Sequence, residues 1–303
     1  MHIMSEVVPA DLDINTEIAR RSVYESFHIE AESIRVLGEG WDNLVFLINS
    51  NLVFRFPRRA VAIPLLQQEM SVLKMIPAAL PLLTPVPDYL SDGCKSYPHP
   101  FYGHTLIEGT TGCCTTLSAD QYHAAARSLA LFLRQLHHPD VSFSAHNIIA
   151  PAFDRVDVPR MMATFTERLT GAMKHYDFRK YDEKIRSIQA DAKSYKPKEN
   201  RSLVHGDLYH RHLIFDSRQS LSGIIDWGDC GISDPVIDLG VLFQFFPPDT
   251  HRSFLDNYGD VSPEETKYAR FLGLYSAIAM LWYGHDRKDT SLIRTSLNTL
   301  EMI

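Results

Sequence analysis

The sequence predicts an α+β protein with a small β-rich N-terminal lobe, residues 1–108, and a larger helical C-terminal lobe, residues 109–303. Three observations lead to this prediction. Short β-branched and aromatic runs follow one another between residues 33 and 56, bounded by Gly and Asn, as strands usually are. Apolar residues recur at helical spacing through most of the chain after residue 118. Two further apolar runs flank a polar link near residue 216, which indicates a β-hairpin within the helical lobe.

Composition favours a small-molecule enzyme. The chain has 303 residues, of which 45% are hydrophobic, so it can bury a sizeable core. No apolar run approaches the roughly 18 to 20 residues of a membrane span, and residues 1–9 lack the pattern of a secretion signal. With 30 basic and 37 acidic residues, the chain has no basic footprint for nucleic acid or an anionic membrane. We expect a cytoplasmic protein with a small-molecule partner, no nucleic-acid partner and no membrane partner. The sequence does not define the oligomeric state.

The N-terminal strands surround a glycine-bearing loop. A helix over residues 11–29 precedes strands over residues 33–37, 44–48 and 52–56. The first link contains Gly38, Gly40 and Asn43. Glycines in such a link let the backbone approach a ligand and can cover nucleotide phosphates, although most Gly-Glu-Gly links are simple turns. The order of the later elements, a cation on the third strand, an acidic helix and a distant polar loop, favours the nucleotide.

Arg55 is the cation on the third strand, and Glu69 follows at a helical position. A cation at this place in the order of elements could bind nucleotide phosphates, and Glu69 lies at a helical position where it could form an ion pair with Arg55. The other interpretation is a structural arginine whose stem packs against the sheet.

The middle of the chain connects the two lobes. The proline-rich residues 80–87 predict an extended connection, and residues 101–107 predict a strand that breaks at Glu108 and Gly109. Ser118, with an acid-amide pair after it, predicts the start of a buried helix that runs to residue 137.

The hairpin is the most informative part of the sequence. Its strands are predicted over residues 212–215 and 221–225. An antiparallel hairpin places the start of one strand beside the end of the other, so His212 and Asp226 should meet. Asp207 lies in the loop that leads into the first strand.

This arrangement suits phosphoryl transfer. A loop carboxylate, Asp207, would orient a hydroxyl nucleophile, while His212 and Asp226 would hold the Mg²⁺ that neutralises phosphates. Two other interpretations remain. The residues could be ordinary loop and turn residues, or they could bind zinc, although the paired short Cys or His clusters of zinc sites are missing.

Two motifs carry a resemblance to a known family. His-Gly-Asp at 205–207 and Ile-Ile-Asp-Trp at 224–227 resemble the catalytic loop and the metal-binding motif of the aminoglycoside phosphotransferase family. That family has a bilobal protein-kinase-like fold. It usually has Asn where this chain has His212; at this position the chain is similar to the 2''-aminoglycoside and macrolide phosphotransferase branches. The resemblance extends over nearly the whole chain and is most specific over residues 203–240.

The resemblance implies further site residues and cofactors. It implies ATP or GTP as donor, Mg²⁺ as cofactor and a hinge near residues 105–109, where backbone groups of Leu106, Ile107 and Glu108 would read the purine. Kinases of this class usually have Lys at the position of Arg55, paired with a helix glutamate. Because a guanidinium does not replace an ammonium freely, Arg55 is a departure from the family. Asp238 is expected to order the catalytic loop by accepting backbone hydrogen bonds.

The sequence leaves two classes of phosphoryl acceptor open. An aminoglycoside-type antibiotic comes first, because acidic residues outnumber basic ones after residue 226 and suit a polycation. A macrolide or another metabolite is the runner-up, favoured by the Arg55 run, by aromatic residues after residue 240, and by residues 139–200, which are not acidic. A different class of function, a nucleotide-binding module without turnover, is motivated by Arg55 and His212 where kinases prefer Lys and Asn.

Overall fold

A computed structural model describes residues 10–76, 80–143, 148, 150, 151 and 153–303. These residues form two compact units: residues 10–76 with Leu83–Glu108, and residues 80–82 with Gly109–Ile303. The prediction about a secretion signal concerns residues 1–9, which lie outside the described residues. In the described part of the chain, no helix is both long and apolar enough to cross a bilayer. The functional division into lobes 1–108 and 109–303 stays a prediction.

The N-terminal unit is built on one five-stranded antiparallel sheet. Its elements are α1 (Thr16–Phe27), β1 (Ile34–Glu39), β2 (Asn43–Ile48), β3 (Leu52–Pro57), α2 (Ile63–Met75), β4 (Tyr89–Ser91) and β5 (Phe101–Thr105). The strand order is β1-β2-β3-β5-β4. The predicted helix and strands are confirmed, with bounds that differ by a few residues.

Alternation along β3 separates the core of this unit from its polar face. Phe54 and Phe56 are fully buried in a cluster with Ala19 and Val23 of α1. Because successive side chains of a strand point to opposite faces, Arg55 lies on the other face. The β2–β3 register pairs Asn43 with Pro57 and Val45 with Arg55, so Asn43 and Arg55 are diagonal neighbours on that face.

The C-terminal unit is mostly helical and contains two small sheets. Its elements are β6 (Thr110–Thr111), α3 (Ala119–Leu136), α4 (Pro139–Phe143), α5 (Val158–Ala172), α6 (Asp182–Ala192), β7 (Ser202–Val204), β8 (Leu213–Phe215), β9 (Leu221–Ile224), β10 (Gly231–Ser233), α7 (Val236–Phe245), α8 (Pro248–Tyr258), α9 (Pro263–Arg287) and α10 (Thr290–Met302). The sheets have the orders β6-β8-β9 and β10-β7.

Helix α7 is the centre of this unit, since all ten of its residues are buried. It packs on α9 where two glycines face each other: a Cβ on Gly273 would lie 2.9 Å from the carbonyl oxygen of Gly240. The predicted start of α3 is confirmed, because Ser118 and Gln121 form a capping box.

The hairpin differs slightly from its prediction. His212 ends a 3₁₀ turn, and the strands are β8 and β9, each one residue shorter than expected. The pairing nevertheless extends past β8, because the Ile225 N–H donates to the His212 carbonyl at 3.0 Å.

We predict that Ser262→Ala lowers the stability of the C-terminal unit by about 1 kcal/mol, the usual effect of losing an N-cap. Ser262 caps α9 by accepting from the N–H of Glu265 at 3.2 Å, and Glu265 accepts in return from the N–H of Ser262 at 2.9 Å. Urea unfolding measures the change. Ser217→Ala, in an exposed turn, is the control; equal midpoints for the two variants would contradict the assigned role of the cap.

Candidate active site

The loop that carries Asp207 is held by a buried carboxylate. Asp238 of α7, fully buried, accepts from the N–H of His205 at 2.8 Å and of Gly206 at 2.9 Å. It also lies 3.1 Å from Nε2 of His137. The predicted role of Asp238 in ordering the loop is therefore confirmed.

Glycine is required at position 206 by conformation and by space. Gly206 has a φ of +88°, which disfavours any side chain. A Cβ there would lie 2.0 Å from the carbonyl oxygen of Asp229. The loop that carries Asp207 is thus packed directly against the loop that follows β9.

The predicted meeting of His212 and Asp226 occurs. Nε2 of His212 lies 3.2 Å from Oδ2 of Asp226, and His212 is buried while Asp226 is 44% exposed. Nδ1 of His212 lies 2.8 Å from the carbonyl oxygen of Asp207, so Nδ1 carries the donated proton and Nε2 faces Asp226. Asp226 has a φ of +65°, in the left-handed region that Asp tolerates better than most residues.

The charge of Asp226 controls the protonation of His212. Burial lowers the pKa of His212, but the charge and hydrogen bond of Asp226 and the charge of Asp207 outweigh burial and raise that pKa. A protonated ring donates its Nε2–H to Asp226. A neutral ring presents an Nε2 lone pair at the same place.

This pair fits a magnesium ion that takes most of its ligands from elsewhere. His212 Nε2 and Asp226 Oδ2 are two possible metal ligands that lie 3.2 Å apart. In the described ranges, no three His, Cys, Asp or Glu side chains form a group that could hold a metal. Mg²⁺ commonly uses one or two protein carboxylates with phosphate oxygens and water, so a complete protein cage is not needed. The histidine is the less usual ligand, because imidazole suits other metals better.

Arg155 lies against the predicted base. Its Nη2 donates to Oδ1 of Asp207 at 2.6 Å and to Oδ2 of Asp229 at 3.0 Å, with 15% of the arginine side chain exposed. Burial lowers the pKa of Arg155, but the charges of Asp207 and Asp229 outweigh burial and raise it. Burial raises the pKa of Asp229, against the opposing charge of Arg155. One guanidinium thus bridges two carboxylates.

Arg155 and Asp229 were not predicted as site residues. Asp229 follows shortly after Asp226, so its position in the same loop was a signal that could have been used. Arg155 belongs to a stretch described in the sequence only by its charge balance, and no local pattern connects it with Asp207. Its contact arises from tertiary packing alone.

In the N-terminal unit, the predicted ion pair of Arg55 and Glu69 is present. Nε of Arg55 lies 3.2 Å from Oε2 of Glu69, which is 1% exposed. The Tyr102 hydroxyl donates to Oε1 of Glu69 at 3.0 Å. With its oxygen turned to the guanidinium, the Asn43 amide accepts from Nη2 and Nε of Arg55 at 3.1 and 3.2 Å. Three predicted site residues are therefore in contact.

Two arginines that follow β3 donate hydrogen bonds to the glycine-bearing loop. The N–H of Gly40 donates to the Asn43 carbonyl at 2.9 Å. Arg58 donates to the carbonyl of Gly40 at 3.3 Å, and Arg59 donates to Asp42 at 2.9 Å. A Cβ on Gly38 would meet nothing within 4 Å, so the backbone there is open to close approach.

One backbone donor of the predicted purine-binding segment is already hydrogen-bonded. The N–H of Leu106 donates to the carbonyl of Asn51 at 2.7 Å, so this donor is already used by the turn between β2 and β3. The prediction that backbone groups of Leu106, Ile107 and Glu108 bind the purine stays a prediction, and for Leu106 it concerns the carbonyl. Ile107 is half-buried and Glu108 is exposed.

This combination of elements and side chains is that of a phosphotransferase. The model of the phosphotransferase enzyme family matches residues 33–271. The chain belongs to this family, that of the aminoglycoside phosphotransferases. A 43-residue stretch is also 40% identical to the uncharacterized protein YcbJ of Bacillus subtilis (strain 168), and it spans 14% of this chain and 14% of YcbJ.

Solved structures share the fold. A GDP and kanamycin complex of APH(2")-IIia has a TM-score of 0.65 at 23% identity, with 93% of this chain and 96% of that chain covered. A streptomycin-ATP complex of APH(2")-IIa has a TM-score of 0.59 at 22% identity, with 96% of this chain and 97% of that chain covered. The macrolide 2'-phosphotransferase MphH from Brachybacterium faecium has a TM-score of 0.58 at 16% identity, with 90% of this chain and 93% of that chain covered. The predicted α+β, protein-kinase-like fold class is confirmed.

We predict that Asp238→Asn lowers the unfolding free energy at pH 7 by about 1–3 kcal/mol, because the new amide cannot accept from both buried N–H groups. Burial raises the pKa of Asp238, but the hydrogen bond and charge of His137, the charge of His205 and the N–H of Gly206 outweigh burial and lower it. Asp238 therefore stabilises the fold above the unfolded-state pKa of about 3.9. This contribution is lost as pH falls through the lower folded-state pKa.

Urea unfolding as a function of pH tests this prediction. The difference between the parent protein and Asp238→Asn should shrink as the pH falls below about 4. Asp260→Asn, at an exposed loop position, is the matched control. A difference that is constant from neutral to acid pH would contradict the assigned ionisation of Asp238.

Proposed function

We propose that this protein transfers the γ-phosphate of ATP or GTP to a hydroxyl group of a small molecule. One observation carries the proposal: Asp207 and a His212–Asp226 pair at 3.2 Å lie together on one hairpin and its preceding loop. Membership of a phosphotransferase family supports it. The nucleotides named in the related structures, GDP in one and ATP in another, support both donors.

In the proposed reaction, the acceptor oxygen forms a bond to the γ-phosphorus and the bond from that phosphorus to the β,γ-bridging oxygen breaks. The nucleoside diphosphate leaves, and the hydroxyl proton passes to Asp207. Since Arg155 occupies Oδ1 of Asp207, we place the hydroxyl at Oδ2. The contribution of the protein is mainly positioning and charge stabilisation.

The remaining predicted residues are assigned to the donor and the metal. His212 and Asp226 would hold Mg²⁺, which when bound neutralises charge on the phosphates. Arg55, fixed by Glu69 and Asn43, binds donor phosphates in this proposal. The donor is also assigned the loop glycines and the backbone after β5: Gly38, Gly40, Leu106, Ile107 and Glu108.

An aminoglycoside-type antibiotic is the first candidate acceptor, supported by the kanamycin and streptomycin in the related structures. A specific observation favours the second candidate, a macrolide or another metabolite. Arg155 lies 2.6 Å from the carboxylate that would receive the acceptor hydroxyl and also pairs with Asp229, so these two carboxylates offer a polycation less attraction than free ones would. We further propose that the protein works in the cytoplasm.

We predict that Asp207→Asn lowers Mg²⁺-dependent nucleoside diphosphate release by about 10²–10⁴-fold, the usual contribution of a general base. Nucleotide affinity should stay near the parent value, because the substitution removes no proposed donor contact. A coupled assay with ATP and GTP separately, against aminoglycosides, macrolides and small alcohols, measures the rate. Calorimetry measures the affinity.

Asp249→Asn, at a largely exposed position of α8, is the control for this variant. If the parent protein binds nucleotide but releases no diphosphate with or without an acceptor, it is a binding module and the proposed reaction is wrong.

We predict that Arg55→Met weakens nucleotide binding by about 10–100-fold, because hydrogen bonds from a charged group contribute about 1.5–3 kcal/mol. Arg55→Lys should recover part of this loss by keeping the charge. Arg35→Met, at an exposed position of β1, is the control. An unchanged dissociation constant for Arg55→Met would show that the arginine only supports the sheet.

A further inference from the structure

A second arginine accompanies Arg155 in the core of the C-terminal unit. Arg168 of α5 lies over the ring of Tyr275 of α9, with 4.4 Å from guanidinium carbon to ring centroid. Arg168 is half-buried. In the part of the chain that the structure describes, it makes no ion pair and no hydrogen bond. A guanidinium in this position needs an anion or water for its five N–H donors.

Two further donors nearby lack acceptors. The hydroxyl of Tyr275, a residue only 4% exposed, has no hydrogen-bond partner among the described residues. The same holds for Nη1 of Arg155, whose Nη2 bridges Asp207 and Asp229. A third arginine, Arg160, lies over the Phe153 ring at 4.5 Å, and Arg155 lies over the same ring at 5.3 Å.

The groups without partners are hydrogen-bond donors, so a group that binds them must be a hydrogen-bond acceptor. Buried polar groups are normally hydrogen-bonded, so unpaired donors in a fold mark a place where a partner belongs. The two arginines can only donate, and the Tyr275 hydroxyl can donate as well. Carboxylate and phosphate oxygens, which bind guanidinium forks in pairs, are the acceptors that fit.

Electrostatics within the group agrees with this conclusion. Burial lowers the pKa of Arg168, Tyr275 opposes the change, and the charge of Arg155 lowers the pKa further. The pKa of Arg168 is lowered on balance, although Asp207 and Glu167 act in the other direction. The positive charge of Arg168 is therefore not fully compensated within the fold.

Arg155 lies where an acceptor would meet it. A hydroxyl bonded to the Asp207 carboxylate has its oxygen about 2.7 Å away, and Nη2 of Arg155 is 2.6 Å from the same carboxylate. Asp207 is 35% exposed, so it can be reached from solvent. Groups attached near the acceptor hydroxyl therefore lie close to Arg155, whose Nη1 has no hydrogen-bond partner among the described residues.

We propose that the acceptor carries an anionic group, a carboxylate or a phosphate, beside the hydroxyl that receives the phosphoryl group, and that Arg155, Arg168 and Tyr275 bind this anion. The inference rests on the proposed function and narrows its substrate to anionic hydroxyl compounds. The group transfer itself is unchanged: the γ-phosphoryl moves to the hydroxyl oxygen, the proton moves to Asp207 and the nucleoside diphosphate leaves. Polycationic aminoglycosides are then poor acceptors.

A series of sugars that differ mainly in charge tests the inference on the full chain with Mg²⁺ and ATP or GTP. The series is glucosamine, glucose, glucuronate and glucose 6-phosphate. We expect kcat/KM for diphosphate release to rise from the cation through the neutral sugar to the anions, by about 10–100-fold for one charge-assisted contact. The last two sugars distinguish a carboxylate from a phosphate. Equal rates, or a preference for glucosamine, would overturn the inference.

Variants separate recognition of the anion from a structural role. Arg168→Met and Tyr275→Phe should remove most of the preference for anionic over neutral sugars, and Arg168→Lys should restore part of it. Arg186→Met, at an exposed arginine of α6 paired with Asp182, should keep the full preference. A preference unchanged in Arg168→Met would show that Arg168 only packs on Tyr275, and the inference would fail.

Binding of inorganic phosphate tests the inferred anion site if none of the four sugars is turned over. Calorimetry on the nucleotide-loaded protein should then show phosphate binding that Arg168→Met weakens and Arg186→Met does not. Absence of binding to the parent protein would overturn the inference. Diphosphate release without acceptor, and its loss in Asp207→Asn, reports the proposed function independently, so the two failures can be distinguished.

Discussion

The carboxylate of Asp238 is the constraint on which the site of the C-terminal unit depends. It sits at the start of the fully buried helix α7 and accepts the N–H groups of His205 and Gly206. These bonds fix the loop that carries Asp207. The Asp207 carbonyl in turn orients the ring of His212, and that ring meets Asp226. The residues of the candidate site are therefore positioned one through another, starting from a single carboxylate in the core.

Contacts set by local periodicity could be predicted from the sequence. Antiparallel pairing alone brings His212 to Asp226, and the register survives although His212 lies in a 3₁₀ turn. The pairing of Arg55 with Glu69 was predicted from the family resemblance, with Glu69 at a helical position that allows the contact. Asp238 could be assigned because a polar residue in an apolar helix needs donors. The order of strands and helices was predictable from the periodicity of apolar residues along the chain.

Contacts between distant elements could not be predicted. Arg155 reaches Asp207 and Asp229 from a stretch with no distinctive pattern, and Arg168 meets Tyr275 only because α5 packs on α9. The hydrogen bond from the Leu106 N–H to the Asn51 carbonyl is another example, because it is determined by how β5 ends beside the β2–β3 turn. Such pairings depend on three-dimensional packing, which one sequence does not display.

The glycine at position 206 has a mechanical consequence. Its backbone is so close to the Asp229 carbonyl that no side chain fits between the two loops. Arg155 adds a second tie between the same loops, through Asp207 and Asp229. These contacts join the two loops at two places, so we expect the spacing of their carboxylates to vary less than it would in two separate loops with little regular structure.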